Sequence, residues 1–203
     1  MNSMLAAEEL SILQNQDFLL AKQQVQEKLW RLLEEAQAAL KAEVAAASHL
    51  FPEGTELQSG KISKGEQYRG LPYMVLDFPK KFAQADIFTF RTMVWWGNEC
   101  SCTLHLQGHS AQKWAPQLLE NLWHHPQKDM VWLGVGDTPW EYHFGKENYQ
   151  PLRYFNKSAL QKHLFGHPFI KLSQKLSLQE VAHLPSFSKQ VFQAYIYLLD
   201  NPR

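Results

Sequence analysis

The chain has 203 residues, with 20 Lys and Arg residues against 20 Asp and Glu residues, so its formal net charge at pH 7 is zero. Apolar residues make up 45% of the chain and charged residues 20%. These values are typical of soluble globular domains and exclude collagen-like, mucin-like and wholly disordered chains. Zero net charge also argues against a non-specific nucleic-acid-binding protein, because such binding depends on many Lys and Arg residues that neutralise phosphates.

Two further observations concern disulfides, location and membranes. Cys100 and Cys102 are the only cysteines, and side chains two residues apart on a strand lie about 7 Å apart, too far for a disulfide. We therefore expect no disulfide framework and a reducing, cytoplasmic location. No stretch of 18 apolar residues is present, so we expect no transmembrane helix.

Residues 1–50 are predicted to form a helical arm. Gly and Pro are absent there, and Ala, Glu, Gln, Leu and Lys, all good helix formers, dominate. Asp17 is the predicted N-cap of a helix over 18–47, whose apolar residues recur three and four apart from Val25 to Leu40. A helix of about 45 Å either packs along the body of the domain or pairs with a second copy, so a homodimer through this helix is one of two interpretations.

Residues 51–203 are predicted to form a single α+β domain. Aromatic and β-branched residues with Gly and Pro between them predict about five strands, at 73–78, 87–96, 100–107, 130–135 and 140–144. Helices are predicted near 110–123, 158–164 and 186–199, with an extended segment at 169–172. The fold class is therefore α+β, with a long N-terminal helical arm, a central antiparallel sheet and C-terminal helices that pack on one face.

A tight turn at Gly97-Asn98 is the clearest local signal in the strand-rich region. Gly-Asn suits a two-residue hairpin loop with positive φ. With that loop, the register places Arg91 on the same face as Cys100 and Cys102. A three-residue loop would break this partition, because a shift of one residue moves every side chain to the other face.

The candidate ligand-binding residues are Arg91, Asp77, Tyr73 and Trp95. Arg91 lies among apolar residues, and a buried guanidinium needs a partner, for which Asp77 in the preceding predicted strand is the obvious candidate. If those strands pair suitably, the four side chains line one pocket, in which the Arg binds the carboxylate or phosphate of a small anionic ligand. A structural ion pair, or an Arg that extends to the sheet edge, is the alternative interpretation.

No recognisable catalytic motif is present, so no catalytic residue is assigned and no cofactor is expected. The predicted function is a small-molecule-binding or protein-interaction domain without enzymatic activity. The alternative is a hydrolase, possibly metal-dependent, that uses His105, His143, Glu99 and Glu141 as acid and base groups.

Two histidine pairs, His105/His109 and His163/His167, share the form His-Leu-x-Gly-His. Two histidines four residues apart ligate zinc when a helix presents both on one face. Each pair here contains a glycine, and the first lies at the end of a predicted strand. Chance similarity is the favoured interpretation, and no metal site is assigned.

Overall fold

The computed structural model describes residues 4–126 and 128–200. Residues 1–3 of the predicted unit 1–50, and residues 127 and 201–203 of the predicted unit 51–203, lie outside the described residues. The α-helices are α1 (Ala7–Gln14), α2 (Gln16–Ala46), α3 (His109–Trp123), α4 (Lys157–Gly166) and α5 (Leu184–Asp200). The β-strands are β1 (Lys61–Tyr68), β2 (Leu71–Ala83), β3 (Asp86–Trp95), β4 (Glu99–Gly108), β5 (Trp132–Gly134), β6 (Tyr149–Pro151) and β7 (Phe169–Ser177). The predicted α+β class is confirmed, with seven strands in the described residues instead of five.

The strands form one antiparallel sheet in the order β1-β2-β3-β4-β7-β5-β6. Helices α2 to α5 pack on one face, called here the helical face, where Leu76, Phe90, Leu104 and Leu172 belong to the main hydrophobic core. The opposite face is called the outer face. No helix among the described residues is long and apolar enough to cross a membrane.

Helix α2 begins two residues earlier than the sequence predicts. The side chain of Asn15, not Asp17, caps it, and Asn15 Oδ1 accepts a hydrogen bond from the backbone N–H of Phe18 at 2.9 Å. The buried residues of α2 share one helix face: Leu29, Leu33, Ala36, Leu40 and Val44. Their spacing of three and four residues places them on one side of the helix, which packs its C-terminal part against α5 and β2.

The β3–β4 hairpin has a three-residue loop, Trp96 to Asn98, so the predicted register is wrong by one residue. Val94 lies opposite Cys100 and Arg91 opposite Thr103. Arg91 therefore projects from the outer face, whereas both cysteines pack in the helical-face core. The physical reason is parity, because one extra loop residue reverses the facing of one strand relative to the other.

The predicted strand at 140–144 is also wrong. This stretch has no regular secondary structure and belongs to an irregular segment over the outer face, residues 137–147, which we call the strap. Pro139 and Gly145 flank its aromatic residues. Strands β1 and β6 were not predicted, since β1 is a polar edge strand and β6 has only three residues and ends at a proline.

Candidate functional site

A row of polar side chains crosses the outer face. The register places Asp77, Arg91, Thr103 and Ser173 directly opposite one another on β2, β3, β4 and β7. Arg91 Nε and Nη2 donate to Asp77 Oδ1 and Oδ2 at 2.7 and 2.8 Å. The Thr103 and Ser173 hydroxyls share a hydrogen bond of 2.8 Å. The row thus contains a bidentate ion pair, the strongest form of an Arg–carboxylate contact.

Lys171 lies beside this row and is completely buried. It projects from β7 opposite His105 of β4. Its ammonium group donates a hydrogen bond to the backbone carbonyl of Glu141 in the strap. It also lies 4.1 Å from the ring centroid of Tyr142 and 4.8 Å from that of Tyr149. Aromatic faces therefore replace most of the water that a lysine would otherwise bind.

Tyr142 connects the two cations. The Arg91 guanidinium carbon lies 4.7 Å from the centroid of its ring, so the same aromatic ring contacts both Arg91 and Lys171. Asp77 is the only buried carboxylate on the outer face in the described part of the chain. The buried Lys171 and Arg91, whose side chain is 15% exposed, thus share one buried carboxylate, and the Glu141 carboxylate that also attracts Lys171 is 41% exposed. Two cations beside one buried anion are a costly imbalance in a low-dielectric interior.

The surroundings shift the pKa values of the two cations in opposite directions. Burial, together with the positive charge of Arg91, lowers the pKa of Lys171 to about 7. Burial alone would lower the pKa of Arg91, but Tyr142 and the Asp77 carboxylate outweigh it and raise that pKa above its ordinary value. Arg91 is therefore permanently charged, whereas Lys171 gains or loses its proton near neutral pH.

Several buried polar atoms around the cations have no hydrogen-bond partner among the described residues. Neither ring nitrogen of His105 makes a hydrogen bond, and the Gln107 amide lies beside the ring without completing one. Burial, then Lys171 and Arg91, lower the pKa of His105 to about 3, so the ring is neutral. The Tyr149 hydroxyl makes no hydrogen bond of good geometry, although the hydroxyls of Thr103 and Ser173 lie near it. An unsatisfied buried polar group costs about 1–3 kcal/mol.

The strap covers this cluster through a few side-chain contacts. The Tyr68 hydroxyl accepts hydrogen bonds from the backbone N–H groups of Tyr142 and His143 at 2.6 and 3.0 Å and donates to Glu141 Oε2 at 2.9 Å. Asn148 Nδ2 donates to the His143 carbonyl at 2.7 Å. No strand pairing holds the strap in the described structure, so its displacement breaks no ladder of the sheet.

The four residues predicted as the ligand site all lie on the outer face. Tyr73 is opposite Trp95, as Asp77 is opposite Arg91. Tyr73 and Trp95 pack with Tyr68, with ring centroids 5.9 and 5.1 Å from it. They form an apolar wall next to the ion pair. Ligand binding by these residues stays a prediction.

Sequence reasoning missed Lys171 and Tyr142. Lys171 had a signal, since it is a lone charge in the run Phe169-Ile170-Lys171-Leu172 at the start of a strand. Tyr142 had none, because its place between the cations depends on a strap that folds back over the sheet.

The groups named for the hydrolase alternative are dispersed. Glu99 lies at the opposite end of β4 from His105, and burial raises its pKa. His143 Nε2 lies 3.5 Å from Glu141 Oε2, the one close His–carboxylate contact among these four residues. Within residues 4–126 and 128–200, no three His, Cys, Asp or Glu side chains form a group that could hold a metal ion.

The remaining sequence motifs have ordinary surroundings. The His163 and His167 rings stack with centroids 4.5 Å apart. The ring of His105 makes T-shaped contacts with the rings of Trp140 and Phe169. Burial raises the pKa of both cysteine thiols to about 12, which makes them poor nucleophiles.

No protein-family model, curated protein or solved structure matches this chain.

Proposed function

We propose that the protein is a binding protein that captures a small anionic ligand on the outer face, beneath the strap. The observation that carries this proposal is that two cations, the buried Lys171 and the mostly buried Arg91, share the Asp77 carboxylate, the one buried carboxylate on the outer face among the described residues. A carboxylate or phosphate group beside Lys171 restores charge balance. It also keeps Lys171 protonated, because a nearby anion favours the charged form.

The neighbouring groups suit such a ligand. The neutral ring of His105 and the hydroxyl of Tyr149 are buried groups that make no hydrogen bond of good geometry. His105 lies opposite Lys171 in the sheet, and the Lys171 ammonium lies over the Tyr149 ring. Asp77 occupies the Nε and Nη2 face of Arg91, so Lys171 is the principal anion contact and Arg91 supplies a fixed positive charge. Entry of the ligand requires the strap to move away from Tyr68.

The test is a thermal-denaturation series of the full chain with sodium phosphate, sulfate and acetate, each compared with sodium chloride at the same ionic strength. A ligand that binds only the folded state at ten times its dissociation constant adds about 1.4 kcal/mol of stability. We expect at least one of these anions to raise the melting temperature of the wild type, and Lys171→Met to abolish that increase.

The matched control is Lys175→Met, because Lys175 lies four residues along β7 on the same face but is exposed. This variant should respond to the anion as the wild type does. The proposal is wrong if none of the three anions stabilises the wild type beyond the chloride control, or if Lys171→Met responds equally.

We also propose that the protein is cytosolic and works as a homodimer formed through its N-terminal arm. Cys100 and Cys102 are both free and buried, which suits a reducing compartment. The arm carries a large exposed apolar surface, which supports self-association.

Hydrolysis is the second candidate function, because His143 lies between Glu141 at 3.5 Å and Glu147 at 3.8 Å. A His–carboxylate pair of this kind could act as a general base. The test of this second function is an assay of purified protein with a simple substrate such as p-nitrophenyl acetate. Hydrolysis by His143 requires that the wild type turn over this substrate and that His143→Ala remove the turnover. Absence of turnover leaves the binding proposal as the only one of the two.

A further inference from the structure

Lys171 differs from other lysines of the chain in what its amine contacts. It is the only buried lysine among residues 4–126 and 128–200. Its amine donates to the backbone carbonyl of Glu141 and lies on the rings of Tyr142 and Tyr149. Four other lysines place their amines 2.7 to 3.0 Å from a carboxylate oxygen: Lys22, Lys81, Lys157 and Lys189. Because a hydrogen-bonded carboxylate favours the charged form of an amine, Lys171 holds its proton less firmly than these four.

The chemistry open to Lys171 depends on its neutral amine, because only the neutral form has a lone pair that attacks a carbonyl carbon. An ordinary lysine, with a pKa of about 10.4, has about one neutral amine in 2,500 at pH 7. The pKa of Lys171 is lowered to about 7, so about half of its amines are neutral there. A desolvated lysine beside a second cation is an arrangement that activates the amine for imine formation. Arg91, which contacts the same Tyr142 ring, is that second cation.

Two buried groups beside the amine can move or hold the protons that imine formation requires. The completely buried ring of His105 lies opposite Lys171 in the sheet, is neutral, and makes no hydrogen bond of good geometry. The Tyr149 hydroxyl keeps its proton, because burial raises its pKa, and the face of its ring lies against the amine. A neutral imidazole both accepts and donates a proton, and a phenol donates a hydrogen bond to oxygen. The amine thus has a proton carrier and a hydrogen-bond donor as neighbours.

The charges of this cluster select the kind of carbonyl compound. Arg91 is permanently charged, and the Asp77 carboxylate beside it is already engaged in two hydrogen bonds. A carbonyl compound with a carboxylate of its own brings the missing negative charge. In a 2-oxo acid the carboxylate is bonded to the carbonyl carbon, so the anion stays next to the atom that Lys171 attacks. After the reaction, the same carboxylate balances the positive charge of the protonated imine.

The strap controls access to the amine. Lys171 has no exposed surface, so a ligand reaches it only when residues 137–147 move. This movement breaks the hydrogen bonds that Tyr68 accepts from the N–H groups of Tyr142 and His143 and takes the Tyr142 ring away from the amine. The space that this ring leaves adjoins both Lys171 and Arg91, which is where the carbonyl and carboxylate of a small planar acid are needed.

We propose that Lys171 captures a 2-oxo acid covalently, as an imine on its Nζ atom, beneath the strap. This inference rests on the proposed function and names the class of anion. The Nζ lone pair forms a C–N bond with the carbonyl carbon, and the C=O π electrons move to the oxygen, which takes a proton. The C–O bond of this carbinolamine then breaks as the C=N bond forms. The oxygen leaves as water, whose two hydrogens replace the two that the amine gives up, so the capture needs no oxidant or reductant.

The test is reductive trapping of the full chain with pyruvate and sodium cyanoborohydride at pH 7, followed by peptide mass spectrometry. Cyanoborohydride delivers hydride to the imine carbon, so the modified lysine gains the mass of pyruvate less one oxygen atom. Acetone is the matched control ligand, because it has a methyl group in place of the carboxylate. The exposed Lys175, on the same strand and face, is the internal reference. We expect the ratio of Lys171 to Lys175 labelling to be at least tenfold higher with pyruvate than with acetone.

Two variants check the assignment to Lys171. Lys171→Met should lose the pyruvate-dependent adduct, whereas Lys175→Met should keep it on Lys171. Circular dichroism checks that both variants fold. The labelled residue is also identified in the wild type, so the result does not depend on the folding of Lys171→Met.

The possible failures are distinguishable. If pyruvate leaves no adduct on Lys171, or labels the exposed lysines as strongly, Lys171 does not form the imine. If pyruvate and acetone give the same ratio of Lys171 to Lys175 labelling, the ligand is not a 2-oxo acid. If phosphate, sulfate or acetate stabilises the wild type through Lys171 but no Lys171 adduct forms, anion binding stands and only the imine is refuted. If neither effect occurs, both proposals fail.

Discussion

At the scale of single residues, the notable feature is charge that is buried on the outer face. Arg91 and Asp77 satisfy each other through two hydrogen bonds of 2.7 and 2.8 Å. Lys171 contacts a backbone carbonyl and aromatic faces, and the carboxylate that attracts it, that of Glu141, is 41% exposed. The charges of Arg91 and Asp77 balance each other. The charge of Lys171 is not balanced in this way, and its pKa is lowered, which is why the proposed anion site lies beside Lys171.

Replacement of Arg91 tests the strength of the ion pair. Arg91→Met leaves the Asp77 carboxylate, whose side chain is only 4% exposed, without its counter-ion. We expect a loss of about 3–5 kcal/mol in the free energy of unfolding, measured by urea denaturation. The double variant Arg91→Met/Asp77→Leu should recover most of that loss, because no unpaired charge remains.

The matched control for this substitution is Arg153→Met. Arg153 is exposed and lies over the ring of Tyr154, so its replacement should change stability by less than about 0.5 kcal/mol. If Arg91→Met is as mild as this control, Asp77 takes its stability from another group and the ion pair has no structural role.

At the scale of elements, loops and bulges decide which face each strand presents. Strand β2 runs through Pro79, where the sequence predicts an end, because a register shift between Asp77 and Lys80 leaves the proline outside the ladder. The three-residue β3–β4 loop has Gly97 at a φ of 72°, and its length places Arg91 on the outer face. Single residues in loops thus determine the site.

Gly108 is the second such position, at the junction of β4 and α3, with a φ of 64°. A Cβ atom there would lie 1.9 Å from the Ala85 carbonyl oxygen, whereas at Gly54, with a φ of 79°, it would meet nothing within 4 Å. We expect Gly54→Ala to cost about 1–2 kcal/mol from backbone strain alone. Gly108→Ala should cost about 3–5 kcal/mol, since steric overlap adds to strain. Equal urea midpoints for the two variants would contradict the close approach.

At the scale of the whole molecule, the lowered pKa of Lys171 couples global stability to pH. The unfolded chain holds this proton up to a pKa of about 10.4, but the folded chain releases it at about 7. Above pH 7 the unfolded state therefore binds more protons, so the free energy of unfolding rises with pH. Below about pH 7 both states hold the proton, so Lys171 no longer makes stability depend on pH.

The prediction concerns the interval from pH 7 to 8.5, below the ordinary pKa of cysteine. The stability of the wild type should rise relative to that of Lys171→Met by at most about 1.4 kcal/mol per pH unit, measured by urea denaturation at each pH. Lys175→Met should keep the wild-type slope. Parallel pH profiles for the wild type and Lys171→Met would show that Lys171 keeps an ordinary pKa.

The sequence alone determined what depends on local order along the chain. Residue spacing and composition predict helix α2 to within two residues at each end, the α+β class and most central strands. The proximity of Arg91 to Asp77 also follows from sequence, because consecutive antiparallel strands pair and both residues lie in such strands.

Only the tertiary structure decided which face the site occupies and what lies there. Facing depends on the parity of a loop, and one residue between Trp96 and Asn98 reverses it. The burial of Lys171 and the place of Tyr142 beside it depend on a strap that packs on strands distant in sequence. Contacts of this kind gain free energy only once the sheet has formed, so no local pattern encodes them.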